Sequence, residues 1–411
     1  MIATELETMP VKDSGKIGIL LWGSFALCFL CTLSAGLLST LMSAYLPPVV
    51  QDLTGKTTAE DLSTISAYIQ SLYIAGWAAG GFFWGFISDQ VGRVKALALS
   101  VGLFGAFTTV ISFVPSWEYV VIFRLCSGLA VGGILVISPT LLFEIWPARS
   151  RAVIIGITSI GFPVGIFSSG LVTVFLSDWR SAFLLGLLPI GLAIVAFFGL
   201  QESEHWKNNP VTANDKKFTE ADRANLIKGS VIFGSMLIGL WGMFSWIPTW
   251  VQSLLGTTDG QSERGIAMML LGAGGLTGGF ASGWVSNAFG VRRAMMFCFA
   301  GCIVMSAILF GSNESFSTII YFELALLSFF FGISQGLLSI FIPQLFPVHI
   351  RGTFTGICFN VGRIVTSVAI FFVGFLVMFF GGYSNTLLAF AGIFLIGFLT
   401  MFFSKDNKTN K

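Results

Sequence analysis

Charge is scarce in this sequence: Asp, Glu, Lys and Arg supply 10% of its 411 residues, against about 25% in a soluble chain. An ordinary soluble enzyme is excluded on that ground. The 22 basic residues nearly balance the 20 acidic ones, so there is no cationic face for nucleic acid and no acidic tail to suggest disorder. Histidine is almost missing, and the two present, His205 and His349, fall in predicted polar loops where they build no metal cluster. Cys28, Cys31, Cys126, Cys298, Cys302 and Cys358 lie in apolar stretches and read as small buried hydrophobes; Cys28-x-x-Cys31 has no second pair to complete a zinc site. Gly55-Lys56-Thr57 resembles the end of a phosphate loop, but Val50 stands where that loop needs glycine, which removes the nucleotide reading. No nucleophile, base and acid can be assembled, so neither enzyme chemistry nor a cofactor is expected.

Apolar residues make up 55%, with 48 glycines and 43 phenylalanines, a composition suited to close-packed helices in lipid. A hydrocarbon core of about 30 Å takes about 20 apolar residues per helix. The polar punctuation leaves twelve such stretches, at roughly 19–46, 62–87, 96–114, 118–142, 152–176, 181–200, 229–254, 264–286, 294–311, 317–341, 353–379 and 384–403. The expected fold class is an all-α membrane protein with twelve transmembrane helices. Glu5, Glu7 and Asp13, with no small-residue cleavage site, argue against a removable signal peptide. A cytoplasmic N-terminus puts 17 Lys and Arg in cytoplasmic segments and only Lys56, Arg180 and Arg264 outside, which predicts an inner-membrane protein with both termini cytoplasmic. The polar stretch Gln201–Lys228 divides the spans six and six, predicting bundles over 1–200 and 229–411 joined by a linker at 201–228.

The two halves repeat each other. At a shift of 198, Gly76, Gly80, Gly81, Phe82, Gly85, Ser88 and Gly92 recur as Gly274, Gly278, Gly279, Phe280, Gly283, Ser286 and Gly290. At a shift of 200, Pro147, Arg151, Gly156 and Ile157 recur as Pro347, Arg351, Gly356 and Ile357, with Gln344 opposite Glu144. Two pseudo-symmetric six-helix bundles follow, related in parallel because six crossings preserve direction. The glycine rows have small-xxx-small spacing and read as helix packing.

After the second helix comes Gly85-Phe-Ile-Ser-Asp89-Gln-Val-Gly92-Arg93-Val-Lys95, and after the eighth Gly283-Trp-Val-Ser-Asn287-Ala-Phe-Gly290-Val-Arg292-Arg293. Each needs a tight turn in which glycine takes φ > 0, while Asp89 can accept from a helix N-terminus or an arginine. Topogenic charge plus a turn residue is the plainer alternative. With Arg124-Leu-Cys-Ser-Gly128-Leu-Ala-Val-Gly132, Glu144-Ile-Trp-Pro147-Ala-Arg149-Ser-Arg151 and Gln201-Glu202-Ser203-Glu204-His205-Trp206, the chain resembles the major facilitator superfamily along essentially its whole length. Within that superfamily it is similar to the sugar-porter and organic-acid:proton symporter branch. The resemblance implies a cytoplasmic gate of Asp89, Gly92, Arg93, Glu144 and Arg151, with Asn287, Arg292 and Arg351 as counterparts and the charge lost at Asn287. It also implies a monomer.

Arg124, Glu323 and Arg363 are ionisable groups inside apolar helices. Each costs about 2.5–3.5 kcal/mol on insertion scales and should face a cavity or a partner. The repeat makes Arg124 and Glu323 near-equivalent, and the resemblance implies that their helices line one cavity. A facing pair is therefore expected, with Glu323 as proton carrier and Arg124 or Arg363 as a planar fork for a substrate carboxylate. A static Glu323–Arg363 ion pair is the alternative. Asn360, Arg363 and Ser367 share a helix face suited to substrate hydrogen bonds or to helix packing. Trp246, with Trp241 and Trp250, can stack on substrate or face lipid. Pro47, Pro48 and Pro248 occupy repeat-related places and are expected to kink an outer gate.

The expected function is proton-coupled symport of a small organic anion by alternating access, with the substrate, protons and lipid as partners. Proton-coupled efflux of drugs or metabolites is the alternative, for which Gly161-Phe-Pro163-Val-Gly165 supplies only part of an antiporter pattern.

Overall fold

The computed structural model describes residues 14–55, 58–147, 149–203, 219–256, 260–347 and 351–404. Lys56, His205, His349, most of the predicted linker and the side chain of Arg351 lie outside the described residues. Among the described residues there are fifteen α-helices and no strand. The first half holds α1 (Ser14–Thr54), α2 (Ala59–Val91), α3 (Arg93–Val110), α4 (Trp117–Ile145), α5 (Arg151–Phe175), α6 (Trp179–Phe183) and α7 (Leu187–Gly199). The second holds α8 (Glu220–Phe244), α9 (Ile247–Leu255), α10 (Gln261–Phe289), α11 (Val291–Ser312), α12 (Ile319–Gln344), α13 (Arg351–Phe371), α14 (Val373–Phe379) and α15 (Tyr383–Phe403). The pairs α6–α7, α8–α9 and α13–α14 each make one crossing, giving twelve in all. Eleven are long and apolar enough to span a membrane. The other, α2, is 33 residues long, its apolar density lowered by Glu60, Asp61, Asp89 and small Ser and Gly residues. The start of α1, the end of α7, the start of α8 and the end of α15 share one face, the linker face; the opposite face is the far face.

Local chemistry sets the helix ends. Thr58 accepts from the Asp61 N–H (3.2 Å) to start α2. Thr219 and Asp222 form a reciprocal capping box, so α8 begins at Glu220 and absorbs polar residues that the sequence assigns to the linker. Gly92 and Gly290 close α2 and α10 at φ 105° and 76°, the positive φ expected of those turns. Pro47 and Pro48 sit inside an unbroken α1, whereas Pro248 occupies the first turn of α9 and the crossing breaks before it.

The duplication is visible in the packing. A Cβ on Gly76 or Gly80 would collide with the Leu125 or Leu129 carbonyl of α4, and one on Gly274 or Gly278 with the Ala325 or Phe329 carbonyl of α12. The same two helices thus touch backbone to backbone in both halves, which is what small-xxx-small spacing permits. Gly80→Leu is expected to lower the melting temperature and the monodisperse yield in detergent, because overpacking costs about 1–3 kcal/mol where the neighbour is rigid. Gly85→Leu, at an open site, should leave both near the parent value; equal losses would refute the packing role.

The halves meet along two seams. On the far face α5 and α10 cross closely at Gly170 and Gly265, Gln261 Nε2 donates to the Thr173 and Leu176 carbonyls (2.6 and 2.9 Å), and Arg264 Nε donates to the Ala44 carbonyl of α1 (2.8 Å). Along the other seam α2 packs on α13 and α14, with Gly374 against Thr64 and Ser367 donating to the Ser71 carbonyl (2.8 Å). The molecule is closed on its far face.

Candidate functional site

Near mid-height, side chains of both halves converge. Trp77 of α2 and Trp241 of α8 meet edge to face with centroids 5.3 Å apart, and Phe162 of α5 lies 5.8 Å from Trp77 and 6.4 Å from Trp241. The Arg363 guanidinium of α13 stands 5.1 Å from the Trp77 ring centroid. Its Nη1 donates to Asn360 Oδ1 (3.2 Å), and the Asn360 amide lies where a Cβ on Gly81 would sit, so a glycine of α2 makes room for it. Asn360 takes one of five guanidinium N–H donors. The remaining donors can fork onto a planar acceptor, with indole faces beside it to stack on.

The expected facing pair of Arg124 and Glu323 is not formed, and this corrects the sequence reading. Arg124 is fully buried inside the first half. Its Nη2 donates to the Ser39 carbonyl (3.1 Å) and to Gln70 Oε1 (3.4 Å), its Nη1 to the Leu38 carbonyl (3.4 Å), and it lies 3.6 Å from the Tyr73 ring centroid. Glu323 accepts instead from Asn313 Nδ2 (2.7 Å), and no Glu323–Arg363 ion pair exists among the described residues. The cause is a register of one residue. The glycine contacts match Leu125 to Ala325, so Arg124 corresponds to Leu324 and Glu323 to Phe123. One residue turns a helix by about 100°. Phe123 faces Phe107 of α3 (6.4 Å), and Glu323 likewise faces the end of α11, where Asn313 lies.

Trp246 is also elsewhere. It is buried within the second half, stacked on Tyr383 of α15 (5.9 Å), with no acceptor for its indole N–H among the described residues. Trp241 takes the interface position. The roles of Trp77, Phe162 and Gln70 were missed for want of any pattern that separates them from ordinary apolar or polar helix residues.

On the linker face, Arg93 bridges Asp89 (2.5 Å) and Glu144 (3.1 Å) and donates to Ser88 (2.9 Å). Glu202, past the end of α7, accepts from the first backbone N–H groups of α3, at 2.8 Å from Arg93 and 3.1 Å from Val94, where the helix dipole favours an anion. Arg151 is placed apart from this network, on the Trp146 carbonyl (3.1 Å) and the Phe143 ring. The second half differs: Asn287 is exposed, and Arg292 donates to the Met401 and Phe402 carbonyls (3.1 and 2.6 Å) at the end of α15. On the far face, hydrogen bonds from the Ser181 hydroxyl and the Ser181 and Arg180 backbone hold the Asp178 carboxyl below its ordinary range.

A family model described as Major Facilitator Superfamily matches residues 28–370. The chain is 25% identical over 382 residues to the cis,cis-muconate transport protein of Acinetobacter baylyi, covering 89% of this chain and 90% of that protein. It is 25% identical over 391 residues to the gallate transporter of Pseudomonas putida, covering 85% and 84%. Its fold resembles the crystal structure of a D-xylose-proton symporter at a TM-score of 0.76 and 16% identity, covering 93% of this chain and 97% of that one.

Proposed function

The chain belongs to the Major Facilitator Superfamily, and from that premise we propose that it imports a small, flat organic carboxylate together with protons. The observation that carries this reading is Arg363, held at the meeting of the two halves by Asn360 and Trp77, with most of its donors uncommitted among the described residues. Trp77, Trp241 and Phe162 supply stacking faces for an aromatic or conjugated body. cis,cis-Muconate and gallate, named in its relatives, are flat conjugated carboxylates of that kind. Arg124 serves as a brace of the first half, while Ser367 ties α13 to α2. Glu323 is the proton carrier: it is buried with the Asn313 amide donating to it and no ion pair among the described residues, so protonation breaks no ion pair there. Asp89, Gly92, Arg93 and Glu144 form the cytoplasmic gate, with Arg151, Asn287, Arg292 and Arg351 around it. The two bundles span 1–200 and 229–411, rock as one monomer around the site, and have their linker face in the cytoplasm of the inner membrane, where the basic residues concentrate.

Uptake into proteoliposomes tests this. A labelled aromatic carboxylate should accumulate under an inside-alkaline gradient, and its carboxamide should not. Equal uptake of acid and amide would overturn the Arg363 reading, and indifference to the gradient would overturn coupling. Glu323→Gln is expected to abolish uphill accumulation while sparing exchange; normal accumulation would remove the proton role from Glu323.

A further inference from the structure

We infer that Arg264 is a far-face latch whose keeper is the Ala44 carbonyl left open by Pro48. In an α-helix the carbonyl of residue 44 accepts from the N–H of residue 48, and a proline there has none. α1 nevertheless runs unbroken through Pro47 and Pro48, so Ala44 carries an acceptor without its helical donor at a buried place. Arg264, in the first turn of α10 and 4% exposed, reaches across from the other half and donates Nε to that oxygen at 2.8 Å. Its Nη1 donates to Gln252 of α9, which aims the guanidinium at α1. One turn earlier on α10, Gln261 binds the Thr173 and Leu176 carbonyls at the end of α5, where the helix has run out of N–H groups. The C-terminal half thus closes the far face by supplying donors to helix-end and proline-freed carbonyls of the N-terminal half, among which the Leu176 carbonyl also accepts from the Tyr45 hydroxyl (2.5 Å).

Every opening of this face breaks these bonds, so Arg264 sets how often it opens. The latch rests on the alternating-access reading above and is independent of the substrate. Met269 lies under the seam, against Gly170, and a cysteine placed there reports opening through its rate of maleimide labelling in detergent, in excess of the parent chain. Arg264→Gln should raise that rate about ten-fold, the equilibrium worth of one charge-assisted hydrogen bond. Pro48→Ala restores the N–H that recaptures the Ala44 carbonyl within α1, and should raise labelling in the same direction. The double variant should exceed either single variant by little, because both remove one interaction. Unchanged labelling in either well-folded single variant, or effects that multiply in the double, would overturn the latch. Pro48→Ala carries the test by itself if Arg264→Gln does not fold. Labelling needs no substrate, so failure here leaves the carboxylate reading standing, and failure of uptake leaves the latch standing.

Discussion

Arg363→Gln is expected to weaken carboxylate binding by about 2–5 kcal/mol, roughly 30- to 4,000-fold in Kd, with the fold intact. The substitution removes the charge and most of the donors that face the meeting of the two halves, while Asn360 keeps a polar neighbour. Arg363→Lys should recover only part of the loss, because a point charge cannot reproduce a planar fork. Titration followed by indole fluorescence suits this site, since Trp77 and Trp241 are in contact there. Arg124→Gln supplies the contrast. Its cage of Leu38, Ser39, Gln70 and Tyr73 lies inside one half, so the expected loss is in melting temperature, with affinity nearly kept. An unchanged Kd in Arg363→Gln, or a loss confined to Arg124→Gln, would move the anchor to the other arginine.

The second large effect is expected at Arg93. Arg93 and Glu144 have side chains 11% and 10% exposed, whereas Asp89 is 42% exposed. Arg93→Ala strands the buried Glu144 carboxylate, and breaking such a pair by deleting one partner costs about 3–5 kcal/mol. Asp89→Asn should cost far less, since the exposed partner contributes at most about 1 kcal/mol. The half-exposed Arg292, which donates to the carbonyls at the end of α15, should cost about 1 kcal/mol on truncation. Thermal unfolding of the three variants in detergent orders them. Equal shifts for Arg93→Ala and Arg292→Ala would mean that the linker-face network of the first half is not the brace its burial implies.

Much of the architecture was legible because lipid imposes long apolar helices and polar ends. The repeat added the glycine contacts, whose partners recur at the same spacing in both halves. What the sequence hid was rotational phase. Glu323 and Arg124 looked equivalent at a shift near 200, but the indel that makes the shift 198 in one motif and 200 in the next leaves a doubt of a residue or two. One residue on a helix is enough to turn a side chain from the central interface to the periphery. Trp246 misled for a related reason: the break before Pro248 resets the phase between Trp241 and Trp246, so neighbouring tryptophans do not share a wall. Arg264 read as one of three basic residues outside, at the start of the eighth span, and its partner is a backbone oxygen that no side-chain pattern advertises.

Arg363 has no twin. At the shift of 200 that aligns α5 with α13, its counterpart is Pro163, inside α5, and Asn360 answers to Ile160. The two halves match in fold but not in charge at this place, so if Arg363 grips an acid head as proposed, cargo would load with a fixed polarity: its carboxyl end would ride with the second bundle, and its hydrocarbon end would meet Trp77 and Phe162 of the first.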